Sequence, residues 1–136
     1  MNIITCHTVP DGNRLAFVDK LFGHSYVLKL EPAIFAIAEQ LAAPAYHGGY
    51  WEFFTLTNDG FYMAPKADAM FVVSCENGYE GSMSADALGI TSCLYAFSHL
   101  SFGGEAFANV CAQHYHLLRE FMFEHVEAKA ILHATD

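Results

Sequence analysis

The chain has 136 residues, 54% of them hydrophobic and only 15% charged. That composition suits one packed domain over residues 1–136 and excludes a disordered chain. The formal net charge is −9, from six Lys and Arg against fifteen Asp and Glu. A field of that sign repels phosphate, and no Lys/Arg cluster overrides it, so direct nucleic-acid binding is excluded. The acidity permits a basic protein partner, and it equally serves solubility.

No stretch approaches the ~20 apolar residues of a membrane span. The start, Met1-Asn2-Ile3-Ile4-Thr5, lacks the basic and apolar regions of a signal peptide. Cys6, Cys75, Cys93 and Cys111 form no Cys-x-x-Cys pair. These features predict a cytoplasmic protein with reduced, buried thiols.

Along the chain, the first ten residues read as irregular and end at Pro10. Asp11 or Asn13 can cap a short helix to about Phe22, with Gly23 as its stop. Residues 24–30, His-Ser-Tyr-Val-Leu-Lys-Leu, admit either a strand or an extended link. A second helix is predicted over about Pro32–Leu41, with Ile34, Ile37, Ala38 and Leu41 as its apolar face and Pro44 beyond its end.

The middle reads as antiparallel sheet. Tyr50–Thr57 is rich in aromatic and Thr residues. Asn58-Asp59-Gly60 is a turn, because these residues tolerate positive φ. Phe61–Ala64 returns and Pro65 closes the strand. Met70–Cys75 and Tyr79–Met83 flank a second turn at Glu76-Asn77-Gly78. Turns joining sequence neighbours make a meander over residues 50–83 the economical topology. Ser84 can cap a helix to about His99, with Asp86 in its first turn. Gly103-Gly104 breaks the chain, a helix follows over about Glu105–Phe123, and a short one covers Glu127–Leu132. The fold class is α+β: a central antiparallel meander flanked by N-terminal and C-terminal helices.

The residues that could carry chemistry do not converge. Eight histidines invite a metal reading. His114 and His116 point about 200° apart on a helix. Cys111 and His114 share a face, with His125 further on, but no His-Glu-x-x-His or Cys-x-x-Cys completes a ligand set, so no metal and no cofactor are expected. Cys75 beside Glu76, and Cys93 and Cys111 on apolar helical faces, lack the electropositive setting of a nucleophile. There is no Gly-x-Ser-x-Gly, P-loop or Gly-x-Gly-x-x-Gly. Glu120, Glu124 and Glu127 recur at helical spacing as a solvated face, and His125, Glu124 and Glu120 could form a local acid–base set. The densest feature is aromatic: Tyr46, Tyr50, Trp51, Phe53, Phe54, Phe61 and Tyr62 crowd one hairpin. Alternation puts Trp51 and Phe53 on one face, and Tyr50, Phe54 and Leu56 on the other. Both faces are apolar, so helices cover both or one meets a partner.

The block Tyr46-His47-Gly48-Gly49-Tyr50-Trp51-Glu52-Phe53-Phe54-Thr55-Leu56-Thr57-Asn58-Asp59-Gly60-Phe61-Tyr62-Met63-Ala64-Pro65 resembles the signature of the ArdB/KlcA antirestriction family: Gly-Gly-Tyr-Trp, an aromatic strand, a turn, then Gly-Phe-Tyr-Met-Ala-Pro. Weaker similarity covers Leu21-Phe22-Gly23, the Ser84–Leu94 region, His114–Arg119 and Ala130–Asp136. Asp59 departs from the pattern, since relatives often carry a second glycine there.

The resemblance implies a non-enzymatic protein, carried by plasmids and other mobile elements, that blocks type I restriction–modification systems. The implied partner is the type I enzyme or an associated host protein. No catalytic residues transfer. Because loops beside an apolar block more often carry function, the candidate partner contacts are Asn58, Asp59 and Asp136. The alternatives are an acidic DNA mimic, for which fifteen scattered carboxylates are a thin supply, and a small His-dependent enzyme.

Overall fold

The structure, a computed structural model, describes residues 3–46, 48–103 and 105–136. Met1, Asn2, His47 of the aromatic block and Gly104 of the Gly-Gly break lie outside them.

The elements run β1 (Cys6–Thr8), a 3₁₀ turn (Asp11–Asn13), α1 (Arg14–Phe22), a π-helical turn (Tyr26–Leu30), α2 (Glu31–Ala42), β2 (Trp51–Leu56), β3 (Phe61–Pro65), β4 (Met70–Ser74), β5 (Glu80–Ser84), α3 (Ala85–Leu100), α4 (Ala106–Met122) and α5 (Ala128–Thr135). This is the expected α+β mixture. The four central strands pair antiparallel as two hairpins, Trp51 opposite Pro65 in one and Met70 opposite Ser84 in the other. They do not merge into one meander. The sheets are β1-β2-β3 and β4-β5.

The reason for the split lies on β3. Gly60 and Leu56 share a backbone hydrogen bond, so by alternation the Met63 carbonyl points away from β2. Helix α3 fills that side. A Cβ added to Gly89 would lie 2.5 Å from the Met63 oxygen and 2.3 Å from the Ala64 Cβ, so only glycine permits this approach. One turn on, the Cys93 thiol donates to the same carbonyl at 3.5 Å. The helix thus sits where β4 would have paired.

Helix α3 is buried nearly all round, from Ala85 and Leu88 through Ile90, Cys93, Leu94 and Phe97, as expected of a helix at the centre of a core. Ser84 caps it, its Oγ accepting the Ala87 N–H at 3.1 Å. Helices α2 and α4, strand β3 and the short α5 pack around it.

Two N-terminal expectations are corrected. The first ten residues are not all irregular: β1 pairs with β2, extended by Val9 N–H to the Phe53 carbonyl at 2.8 Å. An edge strand this short contributes mainly backbone bonds and needs no apolar alternation. Residues 24–30 are neither strand nor extended link. After Gly23 (φ 63°) the chain re-enters a helical path, which buries Tyr26 and Leu30 four residues apart and leaves Val27 and Leu28 exposed.

Candidate functional site

The β2–β3 turn holds two of the sequence-predicted contacts, Asn58 and Asp59, and it shares one device with the β4–β5 turn. In the β2–β3 turn, Asn58 Oδ1 accepts the Gly60 N–H at 3.0 Å, while Nδ2 donates to the Leu117 carbonyl on α4 at 2.9 Å. In the β4–β5 turn, Asn77 Oδ1 accepts the Tyr79 N–H at 3.0 Å. Its Nδ2 reaches the carbonyls of His133, Ala134 and Asp136 at 3.0, 3.2 and 2.8 Å. Each asparagine shapes its own turn and ties it to a helix. For α5 the tie satisfies carbonyls that the helix end leaves without partners.

Asn58 is therefore a half-buried structural group, whereas Asp59 at its tip is exposed with φ 73°. Asp136 is also exposed and sits beside the β4–β5 turn. Asp59 thus lies on the β2–β3 turn, and Asp136 lies at the end of α5 beside the other hairpin. The role of Asn77 was not foreseen, because its turn signal gives no hint of the helix end that folds back onto it.

The Gly-Gly-Tyr-Trp segment is locked by Arg14. Its guanidinium donates to the Trp51 carbonyl at 2.7 Å and the Tyr50 hydroxyl at 2.9 Å, and lies 3.8 Å over the Phe53 ring. Tyr50 donates in turn to Asp11, so Asp11 serves this knot and caps no helix. Trp51 is buried, its Nε1 donating to the Tyr46 hydroxyl at 2.8 Å, with Phe35 and Tyr46 packed edge-on. On the other face Leu56 is buried and Phe54 stacks on Tyr62 at 4.7 Å. Core packing accounts for these rings, and only Tyr50 is broadly exposed.

The acid–base set expected around His125 forms with other partners. Helix α4 ends at Met122, so Glu120, Glu124 and Glu127 do not share one helical face. Glu124 accepts the Ile4 N–H at 3.3 Å, and Glu127 accepts the Ser84 N–H at 2.9 Å as well as its hydroxyl. His125 Nδ1 accepts the Glu127 N–H at 2.9 Å, which leaves Nε2 to carry the proton toward Asp86 at 2.8 Å. The other Asp86 oxygen accepts the Tyr62 hydroxyl at 2.7 Å. Burial foremost, then the Asp86 charge, pushes the Tyr62 phenol well above its ordinary range. With both imidazole nitrogens engaged, the network braces the α4–α5 turn against α3 and β3.

Two of the buried thiols are held in their protonated form. Burial pushes Cys93 up to about 12 and Cys111 up to about 11. His114, between Phe22 and Phe97, is lowered to about 4 by burial, and its Nδ1 has no hydrogen-bond partner. Among the described residues no three His, Cys, Asp or Glu converge as a metal site. A concavity of about 360 Å³ between α1 and the π-helical turn is an open groove with Leu15, Ala16, Val18 and Val27 among its walls. No helix among the described residues is long and apolar enough to cross a membrane.

The family model described as antirestriction protein matches residues 44–136. Antirestriction protein KlcA of Escherichia coli is 41% identical, with 98% of this chain and 94% of that protein covered. The uncharacterized protein YafX of Escherichia coli K12 is 40% identical, over 98% of this chain and 88% of its own. A solved structure matches with a TM-score of 0.91 and 34% identity over the whole of both chains. It comes from work on the KlcA and ArdB proteins, described as having a novel fold and antirestriction activity against Type I DNA restriction systems in vivo but not in vitro. The chain belongs to the antirestriction protein family.

Proposed function

We propose that this protein inhibits type I restriction–modification systems, protecting incoming mobile-element DNA, and that it acts by protein contact rather than by catalysis or duplex mimicry. The observation that carries the reading is the full-length likeness to the KlcA/ArdB structure, whose proteins act against such systems in vivo but not in vitro. Activity confined to the cell suits a contact that needs a cellular component, either the type I enzyme in its working assembly or an associated host protein.

Contact is favoured over mimicry by where the carboxylates go. Asp11, Glu31, Glu76, Asp86, Glu105, Glu124 and Glu127 are hydrogen-bonded or ion-paired within the protein, which leaves about half of the fifteen without such a partner among the described residues. A mimic must replace many phosphates at once with unengaged charges. Asp59, exposed at the turn that Asn58 shapes, and Asp136, exposed beside the turn that Asn77 shapes, are the proposed contact residues.

The test is a plating assay. Cells carrying a type I system and expressing this protein should admit unmodified phage DNA while their modification stays intact. Equal restriction with and without the protein contradicts the reading.

A further inference from the structure

Strand β4 is an open edge. The Cys75 N–H donates to the Tyr79 carbonyl at 2.9 Å, and the register pairs Val73 with Gly81 and Phe71 with Met83. In an antiparallel ladder the bonded pairs alternate, so Phe71, Val73 and Cys75 aim their backbone groups at β5 while Val72 and Ser74 aim theirs away. The opposite edge confirms this parity, because the Ser84 N–H leaves the ladder for the Glu127 carboxylate. On β4 the outward N–H and C=O of Val72 and Ser74 meet no protein group among the described residues.

The exposed face of the same strand is apolar. Met70 is 61% exposed and Val72 66%, while Phe71 and Val73 between them are buried. Natural edges are commonly blunted with lysine, proline or a bulge, and β4 has none of these. Its surroundings are acidic instead. Asp68 precedes the strand, Glu76 and Glu80 flank its turn, and Asn77 brings Asp136 to the same turn; Lys66 is the one nearby cation in the sequence.

We infer that β4 is a docking edge for an extended segment of another protein, one that alternates apolar residues with Lys or Arg. Unpaired backbone groups specify an extended occupant, Met70 and Val72 reward apolar side chains, and the carboxylates reward cations. The same carboxylates argue against a second copy, since β4 paired with itself would bring like charges together. The inference rests on the contact reading above and supplies the form that contact takes.

Val72→Pro tests it, because proline removes the outward N–H, spares the bonds of Phe71 and Val73, and is tolerated on sheet edges. Val72→Thr keeps the N–H and serves as the conservative control. In the plating assay Val72→Pro should lose protection by about tenfold or more, at a melting temperature close to wild type, while Val72→Thr keeps it. If Val72→Pro does not fold, reversal of the exposed rim with Asp68→Lys and Glu80→Lys should give the same loss. Full protection by the folded proline variant, or by the rim reversal, overturns the inference and leaves the antirestriction reading standing.

A wild type that gives no protection removes the antirestriction reading instead. The edge is then read by NMR titration with a short peptide alternating lysine and valine. Shifts centred on the Val72 and Ser74 amides, lost when the peptide amides are N-methylated, support it, and no shift on β4 overturns it. Dimerisation of the wild type that Val72→Pro abolishes would place a second copy on the edge and overturn the assigned occupant.

Discussion

Trp51 shows the aromatic hairpin serving the core rather than a partner. It is 3% exposed, and its one polar atom is satisfied by Tyr46. Trp51→Ala should cost about 3–5 kcal/mol in denaturant unfolding, the range for a large aromatic removed from a core. A loss below about 1 kcal/mol would contradict its burial. His114 gives a second test at this scale. Its folded pKa is lowered to about 4 from an unfolded value near 6.5, and the cause is burial. The unfolded chain therefore binds the proton first, so the stabilisation is complete above about pH 6.5 and is lost as the pH falls toward about 4. The ceiling of that effect is about 3 kcal/mol. His114→Phe, set between Phe22 and Phe97, should flatten the pH dependence of stability over that window. An unchanged slope would contradict the assignment.

At the scale of elements, what the sequence revealed depended on whether the determinant was local. The Asn58-Asp59-Gly60 turn, the Ser84 cap and the Gly23 stop were legible because each acts within a few residues. Gly89 carries no local signal of its role, since that role depends on strand β3 lying against it. Gly89→Ala should destabilise by about 1–3 kcal/mol or more, because the obstacle is backbone that cannot swing aside. A neutral effect in thermal melts would show that α3 and β3 are less close than described. Asn77 was likewise read for its turn alone. Asn77→Ala should cost about 1 kcal/mol and speed amide exchange in α5, where the His133 and Asp136 carbonyls lose this donor and Ala134 keeps only the Tyr95 hydroxyl. Unchanged exchange in α5 would sink that role.

For the whole molecule, the α+β class followed from the change in hydrophobic period, but the division into two sheets did not. That division is set by α3 lying against the Met63 carbonyl, a contact between residues about thirty apart in sequence that no local pattern announces. The same holds for the candidate site. Asp59 and Asp136 were legible as polar positions beside an apolar block, whereas the open edge of β4 follows only from register and hydrogen-bond parity.

The charge argument belongs to this scale as well, because mimicry depends on total charge and contact on its location. Two paired variants separate them, each removing two of the fifteen carboxylates. Asp59→Asn with Asp136→Asn alters the two proposed contacts, and asparagine still tolerates the positive φ at position 59. Glu39→Gln with Glu120→Gln removes the same charge from exposed helical positions. Protection of unmodified phage in a type I host should be lost with the first pair and kept with the second. Equal, graded losses in both would contradict contact and establish total negative charge as the active property.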